Sequence, residues 1–148
     1  MKKNDNAVVF FISDYNGRDD FYIYKIKVKN EGDKELYSKP ILGTDCPWKG
    51  KRYLIRLIEE GNEDKESALK EKIETDLMLF NNAGHFYTEK DKVLKWGLSL
   101  DEEIKDLKIN GQPPTEIMNI KLDDDDVYFW YYEDCPVKTI SDDVDISF

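Results

Sequence analysis

Stretch 8–15 (VVFFISDY) opens on five consecutive apolar residues before turning polar, and stretch 21–29 (FYIYKIKVK) passes from aromatic and β-branched residues to apolar positions alternating with lysines. Both are short, rich in β-branched and aromatic residues and bounded by turn residues, a pattern that predicts two strands. The intervening Asn16-Gly17-Arg18-Asp19-Asp20 opens on a strong turn dipeptide and predicts that the strands close as an antiparallel hairpin. Pairing Ser13 with Ile23 gathers Val8, Phe10, Ile12, Tyr24, Ile26 and Val28 on one face, the expected core side, and leaves Phe11, Lys25 and Lys27 on the other. Lys2 and Lys3 ahead of the apolar run 7–12 superficially suggest a signal peptide. The run is short and no small-residue cleavage site follows, so it reads as a strand.

Further along, 31–50 carries Pro40, Gly43, Pro47 and Gly50 and reads as a connector in which Leu36-Tyr37 and Ile41-Leu42 can pair briefly with the sheet, and 52–59 (RYLIRLIE) suits a third strand. The period then changes to that of a helix. Asn62 opens it, Glu63, Asp64 and Glu66 fall in the first turn, and Leu69, Ile73, Leu77 and Phe80 form one apolar stripe before Asn82 and Gly84 stop it. A second helix is expected from Ser99, because Ser99 and Glu102 have capping-box spacing and Leu100, Ile104 and Leu107 can face inward. Between the helices, 85–96 suits either a strand or a short helix.

The stretch 122–134, LDDDDVYFWYYED, sets five consecutive aromatics inside the densest acid of the chain. Stretch 116–122 (EIMNIKL) alternates, so the four aspartates become the loop of a second antiparallel hairpin. Closing it with Leu122 opposite Val127 pairs Ile120 with Phe129 and Met118 with Tyr131, an unbroken apolar face. Tyr128, Trp130 and Tyr132 then share the other face with Ile117, Asn119 and Lys121. The expected fold is therefore α+β and a single domain over 1–148: an antiparallel sheet built from both hairpins, with two helices packed on one face.

Charge changes the picture more than composition does. The net charge is −10, yet the first 60 residues hold 12 Lys+Arg against 10 Asp+Glu, so the acid belongs to the rest of the chain. A phosphate backbone is repelled by such a surface, which makes nucleic acid an unlikely partner, whereas a basic protein is attracted. No run has the length of a membrane span, and two cysteines without a framework fit a reducing cytoplasm.

No motif specifies a reaction. Phosphate-binding glycine loops, zinc spacings and nucleophile elbows are all missing from the sequence, and His85 is the single histidine, read as structural. No metal or cofactor is called for: adjacent aspartates point in different directions, and the four at 123–126 lack EF-hand spacing, so they read as a solvated tip that discourages edge-to-edge aggregation. Neither Cys46 nor Cys135 follows an activating helix start, and both are expected to be reduced and non-catalytic. In its small size, acidity and lack of motifs the chain is similar to bacterial immunity proteins and phage-encoded anti-defence inhibitors as a class. The function expected is that of a non-enzymatic inhibitor covering a basic surface of a target protein. Asp123, Asp124, Asp125, Asp126 and Glu133 would steer the encounter, and Tyr128, Trp130 and Tyr132 would supply the desolvated anchor. The alternative is a small-ligand or nucleotide-binding domain using Trp48 beside Lys49, Lys51 and Arg52.

Overall fold

The two amino-terminal stretches form strands in the computed structural model, which describes residues 2–3, 6–14, 17, 19–38, 42–46, 64–80, 87–89, 92–139 and 141–148. Strand β1 (Lys2–Lys3) pairs with β2 (Asn6–Asp14), and β2 pairs antiparallel with the long β3 (Asp19–Glu31). The far side of β3 carries β4 (Lys34–Tyr37) along 28–31 and β5 (Leu42–Cys46) along 21–25.

The register of this hairpin differs from the expected one. Ser13 lies opposite Asp20 and Phe10 opposite Ile23, a slip of three residues. The cause is the turn. Gly17, at φ 74°, donates its N–H to Asp14 Oδ1 at 2.8 Å, so the chain reverses early and Asp19 and Asp20 join the strand. An odd slip exchanges the faces of one strand relative to the other. Val8, Phe10, Phe21 and Ile23 consequently form the inner face, while Tyr24 and Ile26 join Val9 and Phe11 outside.

The second hairpin does not extend this sheet. Strands β10 (Glu116–Leu122) and β11 (Asp125–Tyr132) pair with β8 (Lys95–Ser99) in a separate sheet of order β10-β11-β8. Two shorter pairs complete the pattern: β6 (Tyr87–Glu89) with β7 (Lys92–Val93), and β9 (Lys108–Ile109) with β12 (Ile146–Ser147). Leu122 faces Asp125 rather than Val127, because only Asp123 and Asp124 make the turn, both at positive φ (48° and 68°), as a two-residue type I′ hairpin requires. The slip is two residues, so the predicted faces survive although every predicted pair changes: Ile120 meets Val127 and Met118 meets Phe129.

Strand β11 is the middle strand, and both of its faces are covered. On one side Phe129 and Tyr131, with Leu94 and Trp96, pack against Val8, Phe21 and Ile23 of the first sheet, and the Phe10 and Phe21 rings each sit 4.8 Å from that of Phe129. On the other side Trp130 and Tyr132 pack under α1 (Lys65–Thr75) with Leu69, Ile73 and Leu77, beside Ile104, Leu107, Ile109 and Ile146. The order of layers is first sheet, second sheet, helix.

These facts correct the α+β expectation of one sheet with two helices on one face. The architecture is dominated by antiparallel strands in separate sheets, and α1 is the single α-helix among the described residues. It begins after Asp64, whose carboxylate accepts the Ser67 N–H at 3.0 Å, and the expected stripe of Leu69, Ile73 and Leu77 does face the core. The second helix does not form. Ser99 ends β8, Asp101 caps instead, and Glu102–Asp106 makes one 3₁₀ turn before β9. Ile104 and Leu107 still point inward, but five residues between a cap and a strand cannot propagate an α-helix. Among its described residues the ambiguous stretch 85–96 contributes β6, β7 and the opening of β8, the third strand of the second sheet. The strand expected at 52–59 lies outside the described residues.

Candidate functional site

The tips of the two hairpins meet. Asp19 opens β3, Asp123 begins the turn after β10, and each donates its backbone N–H to the other's carboxylate, both at 2.9 Å. Charge-assisted bonds of this kind hold an acidic side chain that would otherwise be repelled by its neighbours. The result is one acidic end built from two sheets: Asp14 and Asp19 close the first hairpin, and Asp123, Asp124, Asp125 and Asp126 close the second. Lys121 offsets part of this charge, with Nζ 2.9 Å from Asp126 and 3.5 Å from the Asp124 carbonyl oxygen. Among the described residues no group of three His, Cys, Asp or Glu side chains converges as metal ligands would.

The partner-binding residues expected from the sequence are only partly brought together. Asp123, Asp124 and Asp126 are exposed at the tip and Asp125 is half-buried. Tyr128 is half-buried, with the Lys105 ammonium 5.1 Å from its ring centre. Trp130 and Tyr132 are core residues, 0% and 2% exposed, and as folded they present no anchor to a partner. Glu133 lies past the far end of β11, about 23 Å from Asp126 at strand rise, where its N–H is donated to Thr115 Oγ1. The sequence held the signal for this burial: 127–132 is an unbroken apolar run bounded by turn residues, the pattern of a strand covered on both faces. Trp48, Lys49, Lys51, Arg52 and His85 lie outside the described residues.

Exposed aromatic surface occurs instead on the outer face of the first hairpin. Phe11, 38% exposed, stacks on Tyr22 with ring centres 5.2 Å apart and planes 15° apart, and Tyr24 lies 5.2 Å from Phe11. Val9 is 37% exposed beside them. The sequence placed Phe11 outward but supplied lysines as its neighbours, because the expected register was three residues off.

A second polar group lies under the helix. Lys72 and Asp76, one helical turn apart, are both buried and form an ion pair where α1 passes into a π-helical turn (Asp76–Phe80). Burial pushes the Asp76 carboxyl up, and the Lys72 ammonium and the Leu98 N–H pull it back. Lys95, on β8, donates to the Leu77 carbonyl oxygen at 2.9 Å, and burial lowers its ammonium. Gly97 lies between Asp76 and the Trp130 ring, whose indole N–H has no hydrogen-bond partner among the described residues. Cys135 is a free, buried thiol pushed up to about 11 by burial, so it stays protonated and is a poor nucleophile near neutral pH. The group is buried, and the ion pair and the Lys95 bond satisfy its charged members, while the Trp130 indole N–H is the buried polar atom left without a partner among the described residues.

In comparisons with known proteins, no family model, no curated protein and no solved structure matches this chain. Among the described residues no helix is long and apolar enough to cross a membrane.

Proposed function

We propose that the protein is a non-enzymatic, stoichiometric inhibitor that covers a basic functional surface of a cytoplasmic target protein. The observation that carries this reading is the reciprocal bonding of Asp19 and Asp123, which gathers the carboxylates of two sheets into one fixed acidic end. An excess of negative charge concentrated at one end of a small molecule raises the encounter rate with an oppositely charged partner and orients it. The anchoring role expected for Trp130 and Tyr132 passes to the exposed outer face of the first hairpin.

The test uses capture from native lysate followed by kinetics with the captured protein. Changing Asp123, Asp124, Asp125 and Asp126 together to asparagine should slow association and flatten its salt dependence, with dissociation little altered. The captured protein should lose its own activity at one equivalent of the wild-type chain. A quadruple variant that associates at the wild-type rate in low salt would falsify the reading.

A further inference from the structure

We infer that Asn110 is a deamidation site, and that turning its amide into a carboxylate releases strand β12 from β9. Asn110 and Gly111 form the two-residue turn between Ile109 and Gln112, whose backbones exchange hydrogen bonds at 2.9 Å and 3.0 Å. Both turn residues have positive φ, 49° and 74°, as a type I′ turn requires. The same dipeptide is a chemical liability. Asparagine is among the thermolabile residues, and Gly111 has no side chain and open space where a Cβ would stand, so its nitrogen is uncrowded on that side. In deamidation the Gly111 nitrogen attacks Cγ of Asn110 and its proton passes to a base in solution. The Cγ–Nδ2 bond then breaks, and ammonia leaves. Water opens the resulting cyclic imide, leaving a carboxylate at 110 in aspartate or isoaspartate linkage.

The fold restrains this reaction through the side chain that clasps the segment 143–147. Asn110 Nδ2 donates to the Asp143 carbonyl oxygen at 3.0 Å, and Oδ1 accepts the Asp145 N–H at 2.7 Å. The Asn110 backbone N–H is donated in turn to the Asp145 carbonyl oxygen at 2.7 Å. Held by both of its polar atoms, the carboxamide cannot turn its carbon onto the Gly111 nitrogen. Yet β12 is two residues long, and Ile146 is its buried member, with Asp145 and Ser147 exposed on either side. A segment with so little buried area opens at low cost, and each opening frees the amide to react.

Charge prevents the converted segment from closing again. An oxygen replaces Nδ2, so the Asp143 carbonyl loses its donor and meets a carboxylate oxygen instead. The new negative charge also stands beside Asp143 and Asp145, and like charges repel. Aspartate tolerates a positive φ, so in that product the turn persists and the loss falls on β12. Ile146, with Val144 and Phe148 beside it, then gives up its packing against the core that contains Ile109 and Tyr132. The site works as a one-way latch set by the age of the chain.

The test ages the full chain in mildly alkaline buffer, folded and in urea, and follows amide-to-acid conversion at Asn110 by peptide mass mapping. Asn110 should convert in urea, and about tenfold or more slowly in the folded chain, because reaction waits for the segment to open. Hydrogen exchange reads the consequence. In Asn110→Asp the amides of 145–147 should lose protection by about tenfold or more, while those of β10 and β11 keep theirs. If Asn110→Asp does not fold, the converted fraction of the aged wild-type chain, separated by ion exchange, supplies the same measurement. Equal conversion in folded and unfolded chains, or none in either, overturns the inference. So does wild-type protection of 145–147 in the converted chain.

Discussion

Asp19 and Asp123 are 104 residues apart in the chain, and each holds the backbone N–H of the other with its carboxylate at 2.9 Å. This contact joins the tips of hairpins that belong to different sheets. It means the acidic end is a built feature rather than two loops that happen to be near each other. Each substitution removes one of the two bonds, because alanine keeps the backbone N–H that the other carboxylate accepts. Asp19→Ala and Asp123→Ala should each destabilise the protein by about 1 kcal/mol, the scale of an exposed charge-assisted hydrogen bond, and the double variant by about the sum. Urea unfolding of the four proteins measures this, and single variants with the wild-type midpoint would show that the contact between the tips contributes nothing to stability.

Gly97 is the position in the second sheet that tolerates no side chain. A Cβ there would press into both the Trp130 ring and Asp76 Oδ2, and both groups are buried. Gly97→Ala should therefore destabilise by about 3 kcal/mol, the upper part of the range for overpacking a core. A variant with an unchanged denaturant midpoint would mean that the ring and the helix have room to move away.

The Lys72–Asp76 pair should show a pH-dependent response to losing one partner. Burial raises the folded carboxyl of Asp76 above its unfolded value. For an acid shifted in that direction, the stability contribution is complete below the unfolded value and is lost as pH rises through the folded one. Lys72→Met removes the ammonium that holds the carboxyl down, so its folded value climbs further. At pH 7 the variant should lose about 3 kcal/mol through an uncompensated buried charge, and the deficit should shrink as pH falls towards 4. Denaturant titrations of both chains at several pH values test this, and a deficit that is the same at every pH would mean that lost packing, not charge, is the cause.

Cys135 should resist alkylation as long as the protein is folded. Its thiol is buried and pushed up to about 11, so at pH 8 almost none of it is the reactive thiolate and reagent has no access. Mass measurement after iodoacetamide treatment, with peptide mapping to separate Cys135 from Cys46, should find Cys135 modified at the rate of unfolding. Rapid modification in native buffer would show that the segment around 135 opens locally.

Several elements were legible in the chain alone because their signals are local. The β-branched and aromatic runs at 8–15 and 21–29 and the alternation at 116–122 are local signals, and all three became strands. Of the expected stripe, Leu69 and Ile73 became the buried side of α1 and Leu77 that of the π-helical turn that follows it, for the same reason. The division of the second hairpin into two faces also survived, since closing the turn two residues early leaves each side chain on its own side. In the first hairpin the early turn moved the register by an odd number, and Tyr24 and Ile26 changed faces.

What the chain could not disclose is what lies against each face. Tyr128, Trp130 and Tyr132 have the same sequence pattern whether their side meets water, a partner or α1, because the helix that covers Trp130 and Tyr132 arrives from some sixty residues away. The same applies to the separation of the hairpins into facing sheets, to the replacement of the second helix by a single 3₁₀ turn, and to the meeting of Asp19 with Asp123. Periodicity determines which side chains share a surface. The packing of distant elements, each burying apolar area the others leave open, decides which of those surfaces become core and which remain available for binding.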